Sequence, residues 1–172
     1  SENGVIGVEE TDDGEHDPDL INAGKTPIKL VKGAALFHHA DSFAMMRGGH
    51  VDMCFLGTLQ VAYNGDIANW STGKPDDVPS VGGAMDLVAG VKNICVLTTH
   101  LTKSGSPKLV SECVYPLTAK GVVKRVYTDL AVMDTGESGF IVREMVKGMS
   151  REELQDNTGA PLVFPDEVKE LW

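Results

Sequence analysis

The chain is poor in cysteine and in positive charge, and each shortage argues against a class of protein. Its 172 residues include three cysteines, an odd number with no C-x-x-C pair, which is not the framework of a disulfide-stapled secreted domain. Cys54 and Cys95 lie in apolar runs and are expected to be buried free thiols in a reducing compartment. Lys and Arg number 15 against 25 Asp and Glu, so the net charge of −10 repels polyanions and argues against nucleic acid as the main partner.

Several motifs are also absent from the sequence. No apolar run reaches the roughly 18 residues of a membrane span, so we expect no membrane partner. The pattern around Lys25 is too short for a phosphate-binding P-loop, and no serine or cysteine has the setting of a hydrolase nucleophile. His38 and His39 are adjacent, and no Cys or carboxylate cluster stands at zinc spacing from them. We therefore expect no metal site and no hydrolase triad.

The residues that are present suit one globular domain with a buried core, since the hydrophobic fraction is 42%. We predict a single domain over residues 1–172, with 161–172 as a tail. Short apolar runs recur along the chain, and the run 94–98 is β-rich and nearly continuous in apolar residues, as in a strand covered on both faces. Helix-like segments lie between these runs. The pattern predicts an open α/β domain.

Local sequence signals predict where several helices, strands and turns lie. Ser150 and Glu153 form a capping box, so a helix is predicted to start there and to stop before Gly159. Asp41 and Ser42 are predicted to cap a second helix. The other predicted elements are an exposed acidic loop at 9–19, a helix at 84–89, and two strands within 120–147 joined by a turn at 134–139.

Three short segments have the residue types of a ligand site. Residues 1–4, Ser-Glu-Asn-Gly, precede an apolar run, and this composition predicts a tight turn that presents Glu2. Gly82 and Gly83 would let a ligand approach backbone N–H groups before a helix. Lys25 follows a glycine and could pair with a phosphate or a carboxylate. Taken alone, residues 1–4 are better explained by an ordinary turn, and the glycine pair is explained equally well by a plain glycine loop.

Taken together, the motifs indicate a family. Their order and spacing resemble those of the class I coenzyme A transferases, and most closely the B subunit of the 3-oxoacid or 3-oxoadipate type. The motifs that carry the resemblance are Ser-Glu-Asn-Gly at 1–4, Leu-Ile-Asn-Ala-Gly-Lys at 20–25, Ser-Phe-Ala-Met-Met-Arg-Gly-Gly-His at 42–50, Asp-Ile-Ala-Asn-Trp at 66–70 and Val-Gly-Gly-Ala-Met-Asp at 81–86.

The resemblance implies an open, mixed and mostly parallel sheet flanked by helices, without the N-terminal segment that family members carry before this point. It also implies ping-pong transfer of CoA from an acyl-CoA to a carboxylic acid, through an acyl-glutamyl anhydride and a glutamyl-CoA thioester. The residues that it assigns are Glu2 as the catalytic nucleophile, Gly82, Gly83 and Ala84 as oxyanion or CoA contacts, and Asn3, Asn22 and Lys25 as CoA or substrate contacts.

The same resemblance implies an A-type subunit or domain as partner, in a heterodimer or heterotetramer, with CoA as a substrate and no tightly bound cofactor. Succinyl-CoA is the expected donor of CoA. The expected compartment is a bacterial cytoplasm or a mitochondrial matrix. Acetoacetate, 3-oxoadipate, acetate and butyrate all remain compatible as acceptors. The alternative functions are an acyl-CoA hydrolase that uses the same glutamate, a non-catalytic partner subunit, and, more distantly, a sugar-phosphate isomerase.

Overall fold

The apolar runs of the sequence become strands in the computed structural model, which describes residues 1–11, 17–22, 24–80 and 82–171. The chain divides into two compact units, Ser1–His50 and Val51–Trp172. Each unit has its own secondary structure. The assignment of residues 1–172 to a single domain, with a tail at 161–172, stays a prediction.

The smaller unit is a two-stranded antiparallel ribbon followed by a helix. Its elements are β1 (Val5–Glu10), β2 (Ile28–Leu36) and α1 (His39–Arg47). The ladder shifts register between Ile6 and Val8, next to Gly7, whose φ is +73°. A Cβ at Gly7 would lie 2.9 Å from the Cα of Ala34, so a glycine is needed for the two strands to come this close.

The larger unit contains a central sheet and a small one. In chain order its elements are β3 (Met53–Leu56), β4 (Gln60–Ala62), β5 (Ile67–Ala68), α2 (Ala84–Gly90), β6 (Asn93–Leu97), β7 (Leu109–Val110), β8 (Val123–Tyr127), β9 (Ala131–Asp134), β10 (Phe140–Met145), α3 (Arg151–Asp156), β11 (Leu162–Val163) and β12 (Lys169–Glu170). The central sheet has the order β11-β10-β9-β8-β6-β3, with β12 also paired to β10, and the small sheet has the order β5-β4-β7.

The pairings within the central sheet confirm the predicted architecture. Strand β6 lies parallel to both β3 and β8, and β10 lies parallel to β11 and β12. Strand β9 is antiparallel to β8 and to β10. The sheet is therefore mixed and mostly parallel, as expected for an α/β fold.

The core of the larger unit is formed by apolar side chains of both sheets and of α3. At the centre of β6, Ile94, Cys95 and Val96 are at most 4% exposed, whereas Leu97 at its end is 61% exposed. The strand is thus covered on both faces only at its centre. Fully buried side chains from the other elements include Val61, Ile67, Leu109, Val126, Met133, Phe140 and Leu154.

Two of the predicted helices are confirmed. Ser150 accepts a hydrogen bond from the backbone N–H of Glu153, whose side chain accepts from the backbone N–H of Ser150, and α3 ends before Gly159. These two bonds satisfy N–H groups that the first helical turn leaves without partners. The helix predicted at 84–89 is α2.

Three local predictions are corrected. Helix α1 begins at His39, because Nδ1 of His38 accepts the N–H of Ala40, so Asp41 and Ser42 lie inside the helix rather than capping it. Residues 120–147 hold three strands instead of two, since Thr128 makes a second turn between β8 and β9. Glu9 and Glu10 belong to β1, while residues 12–16 of the predicted acidic loop lie outside the described residues.

A buried histidine links three elements of the larger unit. His100 follows β6 and is 0% exposed. Its Nδ1 lies 3.0 Å from Oγ1 of Thr128, and its Nε2 lies 2.9 Å from Oγ1 of Thr158. Its backbone N–H donates to Oδ1 of Asp129 at 2.7 Å. His100 therefore connects the end of β6 to the turn after β8 and to the segment after α3.

Both threonine hydroxyls beside this ring also contact a backbone carbonyl. Oγ1 of Thr128 donates to the carbonyl of Ala131 at 3.0 Å, and Oγ1 of Thr158 donates to the carbonyl of Leu154 at 2.7 Å. The two hydroxyls are therefore held in place on either side of the ring by the backbone. Burial lowers the pKa of His100 to about 4, against the opposing effect of Asp129.

We expect the free energy of unfolding to fall as the pH drops from about 6.5 toward 4. The unfolded chain binds a proton at His100 before the folded chain does, so the neutral ring costs nothing above the unfolded pKa and progressively more below it. The full effect of the shift from 6.5 to about 4 is about 3 kcal/mol. Urea unfolding at a series of pH values measures it.

Other groups of the protein also titrate between pH 4 and 6.5. The pH dependence of the unfolding free energy is therefore compared with that of a His100→Gln variant. This variant should be less stable at neutral pH, because glutamine cannot reproduce both ring contacts. Its stability should depend less steeply on pH than that of the unchanged protein. Equal slopes would show that His100 is not the group responsible.

Candidate active site

The turn at residues 1–4 forms as the sequence predicts. The N–H of Gly4 donates to the carbonyl of Ser1 at 3.1 Å, and the N–H of Asn3 lies 3.3 Å from Oγ of Ser1. Gly4 has a φ of +92°, and a Cβ there would overlap the carbonyl oxygen of Phe37. Only glycine satisfies both conditions. The turn is therefore set by backbone sterics, and it leaves Glu2 half-buried and Asn3 exposed.

The second predicted segment, around Asn22 and Lys25, is also a turn. Oδ1 of Asn22 accepts the N–H of Thr26 at 2.9 Å, and its Nδ2 donates to Oε1 of Glu10 at 3.0 Å. Both ends of the amide are thus occupied in holding the turn. Lys25 is exposed and has a φ of +68°, a left-handed conformation that costs a non-glycine residue about 1 kcal/mol or more.

The two turns lie at opposite ends of the ribbon in the smaller unit. Val5 pairs with Leu36 beside the first turn, and Glu10 pairs with Ile28 beside the second. A strand of six residues spans about 20 Å. The structure therefore brings Glu2 together with Asn3, and Asn22 together with Lys25, but it does not bring these two pairs together within their unit.

The third group, Gly82, Gly83 and Ala84, lies in the larger unit at the start of α2. Gly82 is exposed, and a Cβ placed on it would meet no atom within 4 Å. The carbonyl of Gly83 accepts the N–H of Leu87 at 3.0 Å, and no side chain caps the helix start. This helix has only seven residues, so its dipole is weak, and the useful feature is open space beside an accessible backbone.

A long polar loop, which sequence reasoning missed, precedes these glycines. Oδ2 of Asp77 accepts the hydroxyl of Ser71 at 2.8 Å and the N–H of Thr72 at 2.5 Å. Asn69 lies at the base of the loop, where its Oδ1 accepts the hydroxyl of Thr118 at 2.6 Å. The signal in the sequence was the run of Ser, Thr, Gly, Pro and Asp at 71–80, which is typical of side chains that bond to nearby backbone.

A second feature that was missed is an ion-pair cluster on the central sheet. Asp134 accepts from Nε of Arg125 at 2.6 Å and from Nε of Arg143 at 2.7 Å. Although burial acts to raise the pKa of Asp134, hydrogen bonds from both arginines hold it below its usual range. The cluster lines a cleft of about 530 Å³ together with Met53, Cys95, Tyr127 and Ile141, and none of the site residues predicted from the sequence is among the described lining residues.

Within residues 1–11, 17–22, 24–80 and 82–171, no three His, Cys, Asp or Glu side chains cluster so that they could hold a metal ion. His38 caps α1, and the ring of His39 packs edge-on against Phe43 at 4.8 Å between centroids. Both histidines thus have structural contacts. None of the described helices is long and apolar enough to cross a membrane.

Comparison with known proteins bears directly on these segments. A family model described as coenzyme A transferase matches residues 1–157, which include all three of the segments described above. This chain belongs to the coenzyme A transferase family. It is 57% identical to the B subunit of the 3-oxoadipate CoA-transferase of Acinetobacter baylyi over 150 residues, which cover 87% of this chain and 69% of that protein.

A second relative comes from Helicobacter pylori. The chain is 45% identical to the B subunit of its succinyl-CoA:3-ketoacid coenzyme A transferase over 161 residues, which cover 93% of this chain and 77% of that protein. Both relatives are B subunits, so the prediction of a CoA-transferase of the B-subunit type is confirmed.

A solved structure supports the fold. The acyl-CoA transferase YdiF of Escherichia coli O157:H7 superposes with a TM-score of 0.71 at 21% identity, over 99% of this chain. At this identity the likeness shows the shared fold and nothing finer. The chain spans 34% of the length of the YdiF chain.

The conformation of Lys25 leads to a stability prediction. We expect the Lys25→Gly variant to be more stable than Lys25→Ala by about 1 kcal/mol, because alanine keeps the unfavourable left-handed backbone and glycine does not. Both substitutions remove the same ammonium group, so the pair isolates the backbone effect. Chemical unfolding of the two variants measures it, and equal midpoints would mean that residue 25 does not hold a positive φ in solution.

Proposed function

We propose that the protein transfers CoA between an acyl-CoA and a short-chain or 3-oxo carboxylic acid, with Glu2 as the nucleophile. Support for the family comes from the match over residues 1–157 and from the relatives of the B-subunit type. The observation that carries the assignment of Glu2 is the turn at 1–4, in which Gly4 takes a conformation open only to glycine and Glu2 lies at the turn.

In the first half of the proposed reaction an oxygen of the Glu2 carboxylate attacks the thioester carbonyl carbon. The C–S bond breaks, which gives an acyl-glutamyl anhydride and free CoA thiolate. The thiolate then attacks the Glu2 carbonyl carbon of the anhydride. The donor acid leaves as its carboxylate, and Glu2 is left as a thioester of CoA.

The second half reverses these steps with the acceptor acid. Its carboxylate attacks the glutamyl-CoA carbonyl and displaces the thiolate, which then attacks the acyl carbon of the new anhydride. The new acyl-CoA leaves and the Glu2 carboxylate is restored. Thioester energy is conserved throughout, so the cycle needs no ATP and no tightly bound cofactor, and CoA takes part as a substrate.

The other residues are assigned to binding and charge stabilisation. Backbone N–H groups of Gly82, Gly83 and Ala84 would face the developing oxyanion or CoA itself, a role that suits the open space beside Gly82. Lys25 would pair with an anionic group of CoA or substrate, and Asn22 would hold the turn that presents it. Asn3 would contact the substrate next to Glu2.

The two named relatives suggest the substrates and the partner. Their names specify 3-oxoadipate in one case, and succinyl-CoA with a 3-ketoacid in the other, and both names designate a B subunit. We propose a 3-oxoacid acceptor, succinyl-CoA as donor, and an A-type subunit or domain that completes the enzyme as a heterodimer or heterotetramer. A bacterial cytoplasm is the proposed compartment, since both relatives are bacterial.

Trapping is the decisive test of Glu2. The complex of this chain with its A-type partner is incubated with succinyl-CoA, treated with hydroxylamine or borohydride, and digested for mass spectrometry. We expect the modification on Glu2, and we expect Glu2→Gln to lower turnover by more than about a thousandfold, the scale seen when a nucleophile is removed. Glu9→Gln, in the neighbouring strand β1, is the matched control and should leave turnover unchanged.

Turnover in a complex whose Glu2 stays unmodified would place the nucleophile elsewhere and end the proposal. A Glu2→Ala variant that binds the partner and keeps full activity would instead favour a non-catalytic role for this chain.

The proposed role of Lys25 has its own expected result. The Lys25→Gly and Lys25→Ala variants should lose affinity for acyl-CoA to the same extent, because both lack the ammonium group.

A transferase and a hydrolase with the same glutamate differ in what releases CoA. We expect free CoA to appear from succinyl-CoA to the extent of one equivalent of enzyme at most. When a 3-oxoacid is added, CoA should appear as the ester of that acid, with succinate released. A thiol assay with and without the acid, alongside separation of the CoA esters, measures this. Steady CoA release without any acceptor would identify a hydrolase.

A further inference from the structure

The loop at residues 70–80 leads directly to the glycine pair and is anchored at its two ends. Nε1 of Trp70 donates to the carbonyl of Leu117 at 3.3 Å, which attaches the start of the loop to the body of the larger unit. The N–H of Ser80 donates to the carbonyl of Trp70 at 2.7 Å, which closes the loop on itself. Ser80 is two positions before Gly82 in the chain, so the closed loop and the glycine pair are near neighbours in sequence.

One carboxylate organises the interior of this loop. Oδ2 of Asp77 accepts both the hydroxyl of Ser71 and the N–H of Thr72, at 2.8 and 2.5 Å. Oγ of Ser71 in turn accepts the N–H of Gly73 at 2.9 Å. The N–H of Asp77 donates to the carbonyl of Lys74 at 3.0 Å. A single side chain thus ties the first residues of the loop to its second half.

Beyond Trp70 at its start, the loop has little apolar support. Val78 is 85% exposed, whereas Ser71 is 7% exposed. The N–H of Thr72, and then the hydroxyl of Ser71, hold the pKa of Asp77 below its usual range, so its carboxylate is charged at neutral pH. The conformation of the loop therefore depends on hydrogen bonds to this charge.

The space beside Gly82 is open. Gly82 is exposed, and a Cβ there would meet nothing within 4 Å. In the chain it lies between the loop that closes at Ser80 and the first turn of α2. We therefore expect a change in the loop to shift the backbone of Gly82.

We propose that Asp77 is a positioning residue for the backbone of Gly82 and Gly83, and that the affinity for acyl-CoA depends on it without direct contact. The inference rests on the proposed role of the glycine pair in binding CoA. The polar loop has no role in the reaction steps above. In this proposal it holds the N–H groups of Gly82 and Gly83 in the position that binds CoA.

The test uses Asp77→Ala in the complex with the A-type partner, with Asp76→Ala as the matched control, since Asp76 is an exposed carboxylate next in the chain. Stopped-flow measurement of the first half-reaction gives the concentration of succinyl-CoA at half-maximal rate. We expect Asp77→Ala to raise this concentration about tenfold, because a small shift of the backbone N–H groups weakens their contact with succinyl-CoA. The maximal rate and the melting temperature should stay unchanged.

Asp77→Asn is the conservative variant that separates positioning from folding. Its amide oxygen still accepts from Ser71 and Thr72, so it should recover most of the lost affinity. Hydrogen exchange at the Thr72 and Gly73 amides should speed up in Asp77→Ala and much less in Asp77→Asn. The inference is overturned if Asp77→Ala leaves the half-saturating concentration of succinyl-CoA unchanged. It is also overturned if this variant melts at a lower temperature and loses maximal rate while the half-saturating concentration stays the same.

A third substitution separates this inference from the proposed function. Gly82→Val fills the open space beside the backbone and should weaken succinyl-CoA binding while the chain still folds. If Gly82→Val weakens binding and Asp77→Ala does not, only the role of Asp77 is refuted. If Gly82→Val leaves binding unchanged, the assignment of the glycine pair fails and the role of Asp77 fails with it.

Discussion

The larger unit depends on the parallel pairing of strand β6 with β3 on one side and β8 on the other. Ile94, Cys95 and Val96 at its centre are buried, which secures the register of all three strands. The chain leaves this strand at its carboxyl end and reaches His100, whose ring and backbone bond to Thr128, Asp129 and Thr158. One buried neutral ring therefore connects the sheet to the segments that follow β8 and α3, and the stability of these connections depends on its remaining uncharged.

The candidate site, in contrast, depends on backbone conformation more than on side-chain packing. Gly4 adopts a positive φ against the carbonyl of Phe37, Lys25 has a left-handed backbone in an exposed turn, and Gly82 borders open space. Such positions cost stability or contribute little to it, and structures retain them where a ligand has to approach the main chain. The loop at 70–80 also depends little on apolar packing, because hydrogen bonds to the Asp77 carboxylate hold its conformation.

Sequence patterns predicted well where a single local interaction decides the outcome. The capping box at Ser150 and Glu153 and the turn before Gly4 are examples, since each needs only residues within one turn of each other. Prediction failed where a residue less typical of the position makes the local bond. His38 replaced Asp41 as the cap of α1, and Thr128 made an extra turn between two apolar runs. Glu9 lies in an exposed strand, where Lys29 of the neighbouring strand stands opposite it.

By itself the sequence determined the α/β class, the family and the candidate residues, because apolar periodicity, glycine positions and motif spacing are local or linear properties. The tertiary structure alone decided that Glu2 and Lys25 lie at opposite ends of one ribbon, and that both ends of the Asn22 amide hold a turn. It also decided that Arg125 and Arg143 share Asp134, and that Asp77 organises the loop before Gly82. These relations come from strand register and chain folding, which bring together charges and hydrogen-bonding groups whose pairing no linear spacing specifies.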